Sequence, residues 1–421
     1  MRIKIICGFK EKKMQLGNVI VGQSGGPTSV INASLAGVFK TAKDMHCPMI
    51  YGMRNGIEGL LQERYVDLSE HIRNGIDIEL LKRTPSSFLG TCRYKMPDFN
   101  KDDEPYRKIF EILKKLDIKH FLYIGGNDSM DTIDKLSKYA QAINSDITFI
   151  GVPKTIDNDL VMTDHTPGYG SAAKYLAAAV KEIICDASIY ELESINVVEI
   201  MGRDAGWLTC AAALSRSEDC DGPDLICLPE TVFDYNSFMN KISEIRKEKK
   251  VITIAVSEGI KTADGKYVCE ENNRSLTEDV FGHKMLGGTA LYLSDLIGRE
   301  LGVKSRGIVF STLQRCASHL VSRRDITEAY IAGAEGVQLA LKGETGKMIN
   351  FERISNNPYQ LKTGSCPASA VANAEKKVPL EWITDGGYYV SEEFFEYARP
   401  LIIGELTPFM VDGLPRHLNI R

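Results

Sequence analysis

The chain has 421 residues, of which 43% are hydrophobic and 25% charged, and its formal net charge is −5. That length exceeds one ordinary core, so two or more domains are expected, while the small negative charge offers no general attraction to nucleic acid or anionic lipid. No apolar run approaches the ~20 residues of a membrane span, so no membrane partner is expected.

The opening MRIKIICGFKEKKMQ lacks the apolar region and small-residue cleavage site of a secretory signal. Met14, just ahead of the first strand, marks residues 1–16 as an expected N-terminal extension. The ten cysteines are scattered, without a C-x-x-C pair or zinc-ligand spacing. Most sit in apolar surroundings and read as buried thiols, which suits a reducing cytoplasm.

Residues 17–22 (GNVIVG) are an expected strand. In the QSGGPTSVINASLAGVF that follows, Gly25 and Gly26 make a turn, Pro27 suits a first helical position, and Val30, Ala33 and Val38 form an apolar stripe. Alone, this turn fits a plain strand-to-helix connection better than a phosphate loop. PMIYG is a further strand, and the polar loop 83–97 carries Arg93. An amphipathic helix over 104–117 leads to a strand at 120–125, a helix at 128–143 and a strand at 147–152. Beyond an Ala-rich helix at 170–186 the alternation resumes with INVVEI, DLICLPE, a helix at 235–248 and VITIAVSEGI. A polar surface loop (261–284), a helix (287–301), a strand (305–315) and a helix (323–341) follow.

Strands alternating with helices predict an α/β protein of two doubly wound domains with mainly parallel sheets and an active site in the cleft between them. The first domain is expected over 17–165 and rejoined by about 316–345, the second over 166–315, and a C-terminal extension over 346–421.

Chemistry concentrates at two strand ends. IGGNDSMDT (124–132) closes one strand with two glycines and opens a helix whose N-terminal amides face a ligand. GVPKTIDNDL (151–160) runs off the next strand with Lys154, Thr155, Asp157 and Asp159. An Asp-rich stretch by itself is an ordinary turn. Beside a Gly-Gly-Asn-Asp-Ser turn, a Met-Gly-Arg loop and Glu258, it reads as a phosphate and magnesium site for phosphoryl transfer. No histidine stands ready as base, so an aspartate takes that role.

The segments GQSGGPTSVIN, FLGTCRY, IGGNDS, PKTIDND, MGRDAGWL, VSEG and SRGIVFSTLQR resemble the phosphofructokinase family in order and spacing, over residues 17 to about 330. The tail resembles the longer C-terminal extensions of pyrophosphate-using members. The resemblance implies that Asp157 accepts the proton of the sugar 1-hydroxyl, that Arg203 acts on the transition state, and that Lys154 and Thr155 belong to the catalytic loop. It assigns Met201, Gly202 and Glu258 to the fructose hydroxyls, and Arg306 and Arg315 to the 6-phosphate. Arg306 would reach across from a neighbouring subunit, so a homodimer or homotetramer is expected. Gly26, Arg93, Asn127, Asp128 and Ser129 match the phosphoryl-donor side, and Mg²⁺ falls to Asp128, Asp159 and Asn127.

Two positions bear on the donor. ATP-using bacterial relatives have glycine where this chain has Asp128, and glycine where it has Lys154. A carboxylate there opposes the α-phosphate of ATP, while a lysine suits a compact pyrophosphate. The expectation is therefore reversible transfer from pyrophosphate to fructose 6-phosphate. An ATP-dependent enzyme and a silent partner subunit are the alternatives. The chain departs from its relatives in having Asn127 for the usual magnesium aspartate, Ser194 for a cross-subunit arginine, and Thr312 for a histidine.

Overall fold

The computed structural model describes residues 15–189, 191–272 and 286–420. Residues 1–14 of the expected N-terminal extension, and the part of the expected surface loop from 273 onward, lie outside the described residues.

Long apolar runs become strands buried on both faces, as parallel sheets require. The first sheet is built from β1 (Asn18–Gln23), β2 (Ile50–Met53), β3 (Tyr65–Asp67), β4 (Ile118–Gly125) and β5 (Thr148–Pro153). The second holds β6 (Ser194–Ile200), β7 (Leu225–Cys227), β8 (Val251–Ser257) and β9 (Lys304–Val309), in the order β7-β8-β6-β9 and parallel throughout. The strands β10 (Lys347–Asn356) and β11 (Tyr359–Pro367) form an antiparallel hairpin. That hairpin joins the first sheet, whose order is β11-β10-β5-β4-β1-β2-β3, through a parallel pairing of β10 with β5. The beginning of the tail thus belongs to the first sheet, which the isolated KMINF pattern does not reveal.

The return of the chain to the first layer rests on a close helix crossing. Helices Ile31–Asp44 and Arg323–Leu341 approach so tightly that a Cβ on Gly37 would lie 2.0 Å from the Tyr330 carbonyl oxygen. A Cβ on Gly333 would lie 2.0 Å from that of Ser34. Only glycine fits at either position.

Two expected boundaries shift. The helix after the first glycine turn begins at Ile31 rather than near Pro27. Gly25 takes a left-handed φ of 72°, and Gln23 is tied by its side chain to Asn32 (2.9 Å) and to the Leu89 amide (2.9 Å), which holds residues 24–30 as an open loop. The strand expected over 305–315 ends at Val309, and after a left-handed Ser311 (φ 48°) the chain forms a short helix, Leu313–Cys316.

A buried charge cluster fastens the tail to the first sheet. His165 bonds Asp164 through Nδ1 and Glu328 through Nε2, both at 2.7 Å. Tyr359 donates to Glu328 (3.0 Å), and Arg353 donates to Asp164 (2.8 Å). Burial alone would lower the His165 pKa, but Glu328 and Asp164 outweigh it and raise the value to about 9. A raised histidine stabilises the fold fully below its unfolded value of ~6.5 and loses that contribution as pH rises through about 9. Denaturant unfolding from pH 6.5 to 9.5 should show this decline, and His165→Gln should flatten it; equal slopes in the two proteins would show that the cluster does not carry the charge.

Candidate active site

β4 and β5 are parallel neighbours, with Gly125 opposite Pro153, so the loops that leave them open at one edge. β1 lies on the other side of β4 and ends at the same edge, with Gln23 opposite Ile124. Three loops therefore converge. Lys154 is buried, and its ammonium donates to the Gly26 carbonyl at 2.6 Å. Burial lowers its pKa to about 8, against the pull of Asp157 and Asp159.

Thr155 orients the first aspartate. Its hydroxyl accepts the Asp157 amide N–H (3.0 Å) and donates to Asp157 Oδ2 (3.4 Å). Burial raises the Asp157 carboxyl above the ordinary carboxylate range, while Lys154, Thr155 and Arg203 draw it back. Asn158 then takes a left-handed φ of 56° and is fully buried, while both flanking aspartates line the cavity. Asp159 accepts from the Asn127 amide at 3.3 Å, and burial together with Asp157 pushes its pKa up to about 7.

The facing wall comes from the second sheet. β6 ends at Ile200 and delivers Met201, Gly202 and Arg203. Gly202 has φ 138° and a Cβ there would lie 2.6 Å from the Ala205 carbonyl oxygen, so this position requires glycine. Its carbonyl accepts the Ser257 hydroxyl, and its N–H donates to Glu258 at 3.4 Å. Burial pushes Glu258 up to about 7, with Asp157 and Glu199 adding to the rise and the Gly202 amide opposing it. The Met201 amide donates to Gln314 at 3.0 Å.

These walls enclose a cavity of about 610 Å³. It brings together Gly26, Arg93, Asn127, Asp128, Ser129, Lys154, Thr155, Asp157, Asp159, Met201, Gly202, Arg203, Glu258 and Arg315. Arg306 is not among them. It is exposed on β9, the edge strand of the second sheet. Ser194 begins β6, seven residues from Met201, which at ~3.3 Å per residue sets it roughly 20 Å from the loop. The break after β9 parts the two arginines expected at the sugar phosphate. Arg315 stands at the glycine loop after β1, where a Cβ on Gly26 would lie 3.6 Å from its Nη1, and its charge acts on Lys154 and Asp157.

Several lining residues escape sequence reasoning. Ser24 and Ala205 lie inside recognised motifs without a distinguishing chemistry, and Gln314, behind the lining, accepts the Met201 N–H with its side-chain oxygen. Asn373 and Glu375 reach the cavity from the tail, where no motif marks them.

The donor set suits a hard divalent cation. Asn127 Oδ1 and Asp159 Oδ1 are buried without a hydrogen-bond partner. Among the described residues no group of three or more His, Cys, Asp or Glu stands close enough to hold a metal ion. An amide, one or two carboxylates and substrate oxygens make the kind of shell that magnesium accepts.

A Phosphofructokinase family model matches residues 18–309. The chain is 39% identical to a pyrophosphate–fructose 6-phosphate 1-phosphotransferase of Methylococcus capsulatus, over 97% of this chain and 96% of that one. It is 40% identical to the enzyme so named from Xanthomonas campestris, over 97% of each. A crystal structure of a pyrophosphate-dependent phosphofructokinase from Marinobacter aquaeolei superposes with a TM-score of 0.85 at 34% identity, covering 96% of each chain.

Thr155→Val keeps the shape of the side chain and removes both bonds to Asp157. Leaving a buried amide without its acceptor should lower the unfolding free energy by about 1–3 kcal/mol. Denaturant titration reads this directly, and an unchanged midpoint would mean that Thr155 does not hold the loop.

Proposed function

Since the chain belongs to the phosphofructokinase family, we propose that its cavity carries out reversible phosphoryl transfer from pyrophosphate to the 1-hydroxyl of fructose 6-phosphate. The products are fructose 1,6-bisphosphate and phosphate. The observation that carries the donor assignment is the pairing of Asp128 and Lys154 around the first turn of helix Asn127–Ala142. Asp128 is exposed in the cavity where an α-phosphate would enter, and like charges a few ångströms apart repel by about 1 kcal/mol even in water. Lys154, buried against the Gly26 carbonyl, offers a point charge to a compact diphosphate. ATP is not favoured as donor.

In this reading the sugar oxygen attacks the terminal phosphorus, the bridging P–O bond breaks, and phosphate leaves with the electron pair. Asp157, oriented by Thr155, takes the hydroxyl proton. Arg203 lies across the cavity and neutralises charge on the transferring group, with Lys154 and Arg315 on the donor side. Met201, Gly202 and Glu258 hold the fructose hydroxyls. The first sheet serves the donor and the second the sugar.

The cavity lining carries four cations and six carboxylates, and Asp204, one of the six, is paired with Lys261 at 3.0 Å. A diphosphate would bring further negative charge beside Asp128, Asp157 and Asp159, which supports binding with Mg²⁺ on Asp159, Asp128 and Asn127. Magnesium, when bound, neutralises phosphate oxygens and steadies the leaving phosphate.

Arg306 lies outside its own cavity on an exposed edge strand, which supports at least a homodimer in which it completes a neighbour's 6-phosphate site. A cytoplasmic setting fits the nine free thiols among the described residues, which also include no helix long and apolar enough to cross a membrane.

A coupled assay for fructose 1,6-bisphosphate, run with Mg²⁺ and either pyrophosphate or ATP, tests the reading. Product with pyrophosphate and none with ATP is expected; product with ATP alone overturns the donor. Asp157→Ser should lower turnover about 10²–10⁴-fold with substrate binding retained, and a variant keeping a tenth of parental turnover would remove Asp157 as base. Asp128→Gly should raise activity with ATP, and no rise at all would clear Asp128 of the filtering role.

A further inference from the structure

The tail contacts the two catalytic loops from behind, and the contacts fall within a few residues. Asn158, between the two aspartates, donates its amide to the Tyr397 hydroxyl at 2.8 Å and accepts the Thr166 N–H at 3.1 Å. The Tyr397 hydroxyl in turn donates to the Asp164 carbonyl at 2.8 Å. Tyr397 sits on helix Glu392–Ala398, its ring 5.2 Å from that of Trp207 and 5.5 Å from that of Trp382, with the Arg353 guanidinium over its face at 4.6 Å. The ring cannot move without its neighbours.

Upstream in the tail, residues 376–378 bridge the cleft. The Lys376 amide donates to the Asp159 carbonyl at 2.7 Å, and its ammonium donates to the Asp164 carbonyl at 2.7 Å. On the other side the Lys376 carbonyl accepts the Trp207 indole N–H at 2.9 Å. Glu230 accepts from the Gly206 amide (2.8 Å) and from the Val378 amide (3.0 Å) with one oxygen. This short segment is thus bonded to the loop that carries Asp157 and to the loop that follows Arg203.

We infer that this tail is a strap that fixes the 155–159 loop against the 201–207 loop, with Tyr397 and Lys376 as positioning residues for the base. The inference rests on the reading of Asp157 and Arg203 given above. Neither side chain lines the catalytic cavity, so neither touches substrate. Their effect is geometric. Reacting groups tolerate about half an ångström of misplacement, and a shift of about 1 Å can lower turnover 10²-fold. Asn158 is the sensitive point, because its left-handed backbone turns both aspartates toward the cavity while its amide is held from the tail.

Tyr397→Phe removes one hydroxyl and keeps the ring. The expected result is a kcat about 10- to 100-fold lower, KM values for pyrophosphate and fructose 6-phosphate within about twofold of the parent, and faster amide hydrogen exchange over residues 156–166. A purely structural tyrosine would lower the thermal midpoint and leave kcat per folded enzyme unchanged; that result, with unchanged exchange, overturns the strap. Lys376→Met is the second variant, judged by the same two readouts if Tyr397→Phe does not fold, and Lys376→Arg should restore part of the lost kcat. If the parent forms no fructose 1,6-bisphosphate from pyrophosphate, the proposed function fails, and the exchange comparison over 156–166 still decides the strap.

Discussion

Between Lys154 and Asp159 the chain buries an ammonium and sets two carboxylates at the edge of the same cavity. A charge taken out of water without compensation costs several kcal/mol, so each must find its partner in a fixed place. Lys154 finds the Gly26 carbonyl, Asp157 finds Thr155, and Asp159 finds the Asn127 amide. Those partners come from three separate strand ends, which only a parallel sheet places side by side. The requirement to satisfy this loop links the glycine turn after β1, the helix N-terminus after β4 and the path of the chain after β5.

The opposite wall answers with a different chemistry. Gly202 leaves room for the tight turn after β6, Glu258 and Gln314 hold two of its amides, and Arg203 follows at once. Asp159 and Glu258 both stand with carboxyls raised to about 7, because burial and neighbouring carboxylates disfavour their charge. A cation bound beside Asp159 would favour its ionised form.

The tail ties these walls together. Its hairpin lengthens the first sheet and is fastened through Arg353 and Tyr359 to the buried Asp164–His165–Glu328 cluster, and its last helix backs the 155–159 loop. The aromatic group of Trp207, Trp382 and Tyr397 joins residues of the second half to residues of the tail in one packed unit. A cleft between two sheets is otherwise a natural place for relative motion.

The sequence by itself determined the alternation of strands and helices, the two loops that carry Asp157 and Arg203, and the nearness of Asp128 and Lys154 to them in one cavity. These are local properties: hydrophobic period, glycine at tight turns, and charged residues just past strand ends. The glycines at 37 and 333 were legible as letters but not as a helix crossing, since their reason lies 2.0 Å away on another helix. Asn373 and Glu375 carry no motif, and Tyr397 is one aromatic among seventeen tyrosines. The parting of Arg306 from Arg315 depended on one left-handed residue, Ser311, inside a run that reads as a continuous strand. What tertiary structure alone decided is which distant residues complete the buried polar groups of the 155–159 loop, because a hydrogen-bond partner 239 positions away leaves no periodic trace in the chain.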